Sequence, residues 1–250
     1  MTMKPILFNA NMVRAILDGR KTVTRRIVKL KYSNTHLEMR TDKYGARLIE
    51  LQNEEPGVTT IKNPDGTTTH TLLSARVCHP PYRPGDILYV RETWAENPHP
   101  WDGAKYVYRA SIHPADYDLY KWLPSIHMPR EAARIFLRVT DVRVERVQQI
   151  TDEQATVEGI RFTDFGMYQP SWKASLDGGK TFHPAKPIHH PGYHAKDVFK
   201  PEQCFPTARG AFANLWDSTI KPADRERYGW AANPWVWVIE FERCEKPEEE

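Results

Sequence analysis

Ala133-Arg-Ile-Phe-Leu-Arg-Val-Thr-Asp-Val-Arg-Val-Glu-Arg-Val147 alternates apolar and polar residues along almost its whole length. A period of two is the pattern of a strand with one face on a core. Ile135, Leu137 and Val139 fall on one face. Val142 and Val144 fall on the other, because the phase changes near Thr140-Asp141, where a bulge or turn is expected. The stretch reads as the central strand pair of the fold.

Downstream, Ile150-Thr-Asp-Glu-Gln-Ala-Thr-Val-Glu-Gly159 predicts a short helix. Thr151 and Gln154 have capping-box spacing, acids fill the first turn, and a glycine ends it. Upstream, the turn Tyr82-Arg-Pro-Gly-Asp86 runs into the β-branched and aromatic strand Ile87-Leu-Tyr-Val-Arg-Glu-Thr-Trp94. Near the C-terminus, Trp235-Val-Trp-Val-Ile-Glu-Phe241 predicts a closing strand with Trp235, Trp237, Ile239 and Phe241 on one side.

The N-terminal element, Pro5 to Phe8, leads into an amphipathic helix from about Asn11 to Asp18, capped by Asn9 or Asn11 and ended by Gly19. Arg20 to Arg26 then reads as an exposed basic turn, and Ala208 to Asp217 as another helix. Short strands with few helices predict an α+β fold on a small barrel. Three stretches interrupt it, near 30–80, 95–130 and 162–207. The first holds the turn Asn63-Pro-Asp-Gly66 beside a threonine-rich run and reads as a hairpin-like insertion or loop. The second is aromatic, with prolines that exclude a long helix. The third is rich in Gly, Pro and His and reads as a lid or binding loop. One elaborated domain over 1–244 with an acidic tail at 245–250 accounts for the chain.

At 250 residues, 40% hydrophobic and 27% charged, the composition is that of an ordinary folded protein, neither disordered nor fibrous. Met1 to Phe8 lacks a signal-peptide apolar region, and no apolar run approaches the roughly 20 residues of a bilayer span. Cys78, Cys204 and Cys244 are too scattered for a CxxC pair and read as free thiols. These features predict a cytoplasmic protein with no membrane partner. The net charge of +3 is unevenly spread: Met1 to Lys31 holds eight Lys or Arg against Asp18, which makes this end a candidate anion site or a solvated basic surface.

His183, His189, His190 and His194 crowd together but match no metal motif, so no metal or other cofactor is expected. GxSxG and the phosphate-cradling GK[ST] loop are absent. Lys21 and Thr24 remain, an amine and a hydroxyl three residues apart. The like charges of Arg20, Arg25 and Arg26 would favour the neutral amine that a base requires. A plain anion-binding turn has the same composition.

The stretch Ile16-Leu-Asp-Gly-Arg-Lys-Thr-Val-Thr-Arg-Arg26 resembles the GxK-containing signature of ASCH domains, PUA-like β-barrels related to RNA-binding modules. Tyr82 to Val90, Phe136 to Arg146 and Trp237 to Phe241 are similar, in order, to that family's Gly-Asp turn and barrel strands. The longer layout, with Arg91-Glu-Thr-Trp94 and Ala232 to Phe241, is similar to ASCH proteins often carried by phages and prophages.

The resemblance implies a PUA-like barrel with short flanking helices and long insertions. Some small bacterial members are amidohydrolases that deacylate N4-acetylcytidine with a lysine, a threonine and a glutamate. Residue by residue these map onto Lys21, Thr24 and Glu158, and a shifted alignment would select Glu153. Arg20, Arg25 and Arg26 become candidates for phosphate or oxyanion binding, and Trp94 for stacking on a base. Arg25 departs from the pattern, since the enzymes have an apolar residue there. The implied ligand is a modified cytosine nucleoside or RNA or DNA. The alternatives to an amidohydrolase are a non-catalytic nucleic-acid-binding module and a metal-free ribonuclease of the same family.

Overall fold

The computed structural model describes residues 3–32, 35–42, 45–52, 58–62, 65–66, 68–72, 76–98, 103–169, 173–175, 178–184, 186–196, 198 and 200–247. The first half of the expected turn, Asn63 and Pro64, together with Trp101 and the end of the acidic tail, lies outside them.

The chain opens with β1 (Met3–Leu7) and α1 (Ala10–Leu17). The Asn9 side chain caps α1 by accepting from the Met12 N–H at 3.0 Å. Gly19 closes the helix with φ +73°, where a Cβ would be strained. Next come β2 (Val23–Ile27), the hairpin β3 (Thr35–Asp42) and β4 (Gly45–Gln52), the hairpin β5 (Val58–Lys62) and β6 (Thr68–Leu72), and β7 (Arg76–Val77) on β4. After β8 (Ile87–Arg91), the pair β9 (Trp94–Glu96) and β10 (Tyr106–Tyr108) leads into short 3-10 turns as far as Ala132. β11 (Phe136–Arg146), α2 (Asp152–Val157), β12 (Arg161–Tyr168), β13 (Lys173–Ala174), β14 (His183–Pro184), β15 (Ile188–His194), α3 (Ala208–Thr219), α4 (Arg225–Tyr228) and β16 (Trp235–Cys244) complete the order.

The fold is α+β, and its centre is a five-stranded sheet in the order β1-β8-β11-β16-β2. β1 and β8 run parallel; the other neighbours are antiparallel. Among the described residues no pairing joins β1 to β2, so hydrogen bonding does not close the sheet into the expected barrel.

Alternation on β16 sorts the core. Trp237, Ile239 and Phe241 face a cluster with Phe8, Val13 and Ile16 from the α1 side and Leu48 from the hairpin, and Trp235 packs against its edge. Val236 and Val238 face a second cluster with Ala155 of α2 and Ala208, Ala211, Phe212 and Trp216 of α3. Each fully buried aliphatic or aromatic side chain contributes roughly 1.5–3 kcal/mol, which holds the sheet between these two layers.

Two local expectations need correction. The alternating stretch is one strand, not a pair, and its register shifts between Val139 and Asp141. Thr140 is the extra residue of this bulge, so the change of phase in the sequence cancels in space. Leu137, Val139, Val142 and Val144 all pack on the cluster with Ile239 and Phe241. The segment 162–207 is also more than a loop. β12 pairs with β15, and Tyr193 and Phe205 exchange backbone hydrogen bonds at 2.8 Å while packing against the α3 cluster.

Candidate functional site

Two helix ends meet at one edge of the sheet. After α1, the N–H groups of Arg20 and Lys21 both donate to the Ala15 carbonyl, at 2.9 and 3.0 Å, which turns the chain sharply into β2. After α2, whose capping box joins Thr151 and Gln154 as expected, Gly159 takes φ +104°. Lys21 and Glu158, the residues beside these two glycine turns, form an isolated antiparallel bridge.

The Lys21 ammonium donates to three oxygens: Oε2 of Glu158 at 2.6 Å, the Val23 carbonyl at 2.7 Å and the Glu158 carbonyl at 2.9 Å. Three acceptors match its three N–H groups. The Lys21 and Glu158 side chains are 1% and 4% exposed. Burial is the largest influence on the Lys21 amine and pulls its pKa below the ordinary value. The Glu158 carboxylate pushes the other way, and Arg26 and Arg25 add smaller lowering effects. The sequence reading attributed the lowering to neighbouring arginines; desolvation is the main cause, because the turn is buried.

That burial overturns the exposed basic turn. Lys21, Thr24 and Arg25 are all buried, and Val23 to Ile27 is an edge strand of the central sheet. Successive residues of β2 alternate faces. Thr24 lies opposite Ile239 in register, and Arg25 lies opposite Val238 on the α3 side. The Arg25 guanidinium sits 5.9 Å from the Phe212 ring centroid. It donates to Oε1 of Glu158 at 3.1 Å, to Oε1 of Gln154 at 3.0 Å and to Oε2 of Glu145 at 3.2 Å. Two buried cations therefore face two carboxylates, the balance that burial of charge requires.

The structure thus brings Lys21, Arg25 and Glu158 together, whereas Glu153 lies in the first turn of α2 and is exposed. Thr24 is buried in the same strand on the opposite face from Arg25. Arg26 donates to the Leu7 carbonyl at 2.6 Å with its guanidinium 5.1 Å from the Phe8 ring centroid, the ring that the Lys21 ammonium also approaches at 5.8 Å. Arg20 divides between Asp18 at 2.7 Å and the Gly159 carbonyl at 3.0 Å. Trp94 belongs to a separate cluster with Met128 and Ala132 and meets the Tyr106 ring edge-on at 5.4 Å.

Glu145 and the second role of Gln154 escape a sequence reading. Gln154 was legible as a helix cap, and its Oε1 does accept from the Thr151 N–H at 3.2 Å. Its bond to Arg25 spans 129 positions, and local spacing carries no signal for that.

Among the described residues no group of three His, Cys, Asp or Glu side chains is placed to hold a metal ion. His189 pairs with Asp164 at 3.0 Å, and the buried His194 bonds Thr163 Oγ1 at 2.8 Å and the Lys196 carbonyl at 2.7 Å. No helix among the described residues is long and apolar enough to cross a membrane. The chain matches no protein-family model, no curated protein and no solved structure.

Proposed function

We propose that this protein is an ASCH-type amidohydrolase that removes the acyl group from N4-acylated cytosine nucleosides, and that its central sheet is the core of a PUA-like fold. The observation that carries this reading is the buried Lys21 amine, lowered in pKa and 2.6 Å from the Glu158 carboxylate. A lysine so placed gives up its proton nearer to neutrality than one in water, as a general base must.

In this reading Thr24 Oγ1 attacks the acyl carbonyl and its proton passes to the neutral Lys21 amine. The bond from the acyl carbon to N4 then breaks, and the proton moves through Glu158 to the departing amine. Water hydrolyses the threonine ester, releasing the carboxylic acid and restoring the hydroxyl. The net reaction adds one water across the amide, with no redox change.

A second reading, a non-catalytic RNA- or DNA-binding module, is favoured by the near-complete enclosure of Lys21 and Glu158. There the buried pair is structural, and surface cations meet the phosphates. The two separate on incubation of purified protein with N4-acetylcytidine while cytidine release is followed by chromatography. The amidohydrolase predicts release by the wild type and none by Lys21→Ala or Lys21→Arg, since guanidinium stays protonated. Undiminished turnover by Lys21→Arg would remove the general base, and no release by the wild type would leave the binding module.

A further inference from the structure

On the far side of the Gly159 peptide lies a cavity of about 360 Å³, within the size range of small-ligand sites. Arg14 and Asp18 of α1, Arg20, Arg161 of β12 and Lys196 beyond β15 contribute to its wall. Among the described residues four cations and one carboxylate, Asp18, which pairs with Arg20 at 2.7 Å, line it, drawn from segments far apart in sequence. We propose that this cavity binds the phosphate of a phosphorylated cytosine ligand, so that the substrate is a nucleotide unit, not a bare nucleoside; this rests on the reading of Lys21 as the base.

Among its contacts, the Arg14 guanidinium donates to the Ala110 carbonyl at 3.0 Å, Asn11 Oδ1 at 3.0 Å and the Tyr117 hydroxyl at 2.8 Å. Its orientation is fixed before any ligand arrives, which lowers the ordering cost of binding. Guanidinium forks match the oxygens of a phosphate. The Arg20 guanidinium is tied to the Gly159 carbonyl, so the charged wall is anchored to the peptide that follows Glu158.

The cavity also lies close to the candidate chemistry. A Cβ built on Gly159 would stand 3.5 Å from Lys21 Cβ and 3.8 Å from Lys21 Cδ. One glycine therefore separates a basic cavity from the buried lysine. A phosphate held there would place the attached nucleoside against the α1–α2 junction where Lys21 and Glu158 meet.

The test is calorimetric titration of the full chain with cytidine, cytidine 5′-monophosphate and a short single-stranded oligocytidylate at two salt concentrations. The expected result is that the monophosphate or the oligonucleotide binds at least roughly tenfold more tightly than cytidine, and that Arg161→Gln/Lys196→Gln erases the preference. Both substituted residues are exposed, so the fold is not at risk. The charge-matched control Arg138→Gln/Arg243→Gln, on the interior strands β11 and β16 of the sheet, should retain the preference. Tight monophosphate binding identifies a free nucleotide. Binding of the oligonucleotide alone, with a salt slope of about one per phosphate contact, identifies a strand. Equal affinities for cytidine and both phosphorylated probes, or a preference untouched by Arg161→Gln/Lys196→Gln, would overturn the proposal. Binding needs no turnover, so release of cytidine from N4-acetylcytidine tests the amidohydrolase separately.

Discussion

The Arg25 guanidinium donates to Oε1 of Glu158 at 3.1 Å, while the other carboxylate oxygen is taken by Lys21 at 2.6 Å. One buried carboxylate thus serves two cations, and Arg25 is the residue at which the chain departs from the resembled enzymes. Its extra charge opposes protonation of Lys21. Its bonds to Gln154 and Glu145 tie the α2 cap and β11 to the same point.

Arg25→Met should therefore raise the Lys21 pKa, because a nearby like charge is lost and Glu158 is left to Lys21 alone. Lysine side-chain NMR titration reads this directly. The substitution also takes one cation from Glu158, which keeps Lys21, and one from Glu145, which keeps Arg143 at 2.7 Å, and should cost about 1.5–3 kcal/mol of stability, measured by denaturant unfolding. Arg25→Lys, which keeps the charge, should shift the titration less. A Lys21 midpoint that does not move in Arg25→Met would remove Arg25 from the electrostatics of the site.

Gly159 is constrained twice. Its φ of +104° is strained for any L side chain, and a Cβ would meet Ala15 Cβ at 3.0 Å. Gly159→Ala should cost roughly 1–3 kcal/mol and should disturb Lys21 and Glu158 together, since the turn sets the bridge between them. Thermal unfolding and the Lys21 NMR signal check the two halves. An unchanged melting temperature would mean that the turn relaxes freely.

Glu50 ties the 30–80 insertion together from within. Its buried carboxylate accepts from Arg76 Nη2 at 2.7 Å, from Thr35 Oγ1 at 2.7 Å and from the N–H groups of Lys31 and Tyr32 at 2.7 and 3.0 Å. Burial pushes its pKa up, but the bonds from Thr35, Tyr32, Arg76 and Lys31 together outweigh it, and the net shift is downward. A lowered carboxylate contributes stability that is full above the unfolded value of 4.5 and is lost as pH falls through the lower folded value. Glu50→Gln should cost about 2 kcal/mol at neutral pH, and its deficit should shrink below the unfolded value. A deficit independent of pH would show that the carboxylate charge is not what holds the insertion.

Much of this architecture was legible locally. Asn9 and Gly19 bracket α1, Thr151 and Gln154 cap α2, and the alternation from Trp235 to Phe241 assigned the two faces of β16 correctly. These are short-range effects, in which dihedral preference, capping and period two act within a few residues. The alternating segment shows where such reading stops. The change of phase at Thr140 was visible, but its consequence depended on the partner strand, because only pairing with Phe241 and Glu240 turns an extra residue into a bulge that restores the face.

The candidate site divides in the same way. The sequence by itself named Lys21, Thr24 and Glu158 as candidates and marked the glycines that end the two helices beside Lys21 and Glu158. Only the tertiary structure decided that Lys21 meets Glu158 across 137 positions, that Arg25 shares the carboxylate, and that a turn expected in water is buried. Burial depends on what packs over a residue, and here α2 and α3 close over β2 from remote parts of the chain. Desolvation by those layers, more than the neighbouring arginines, is what lowers the Lys21 pKa.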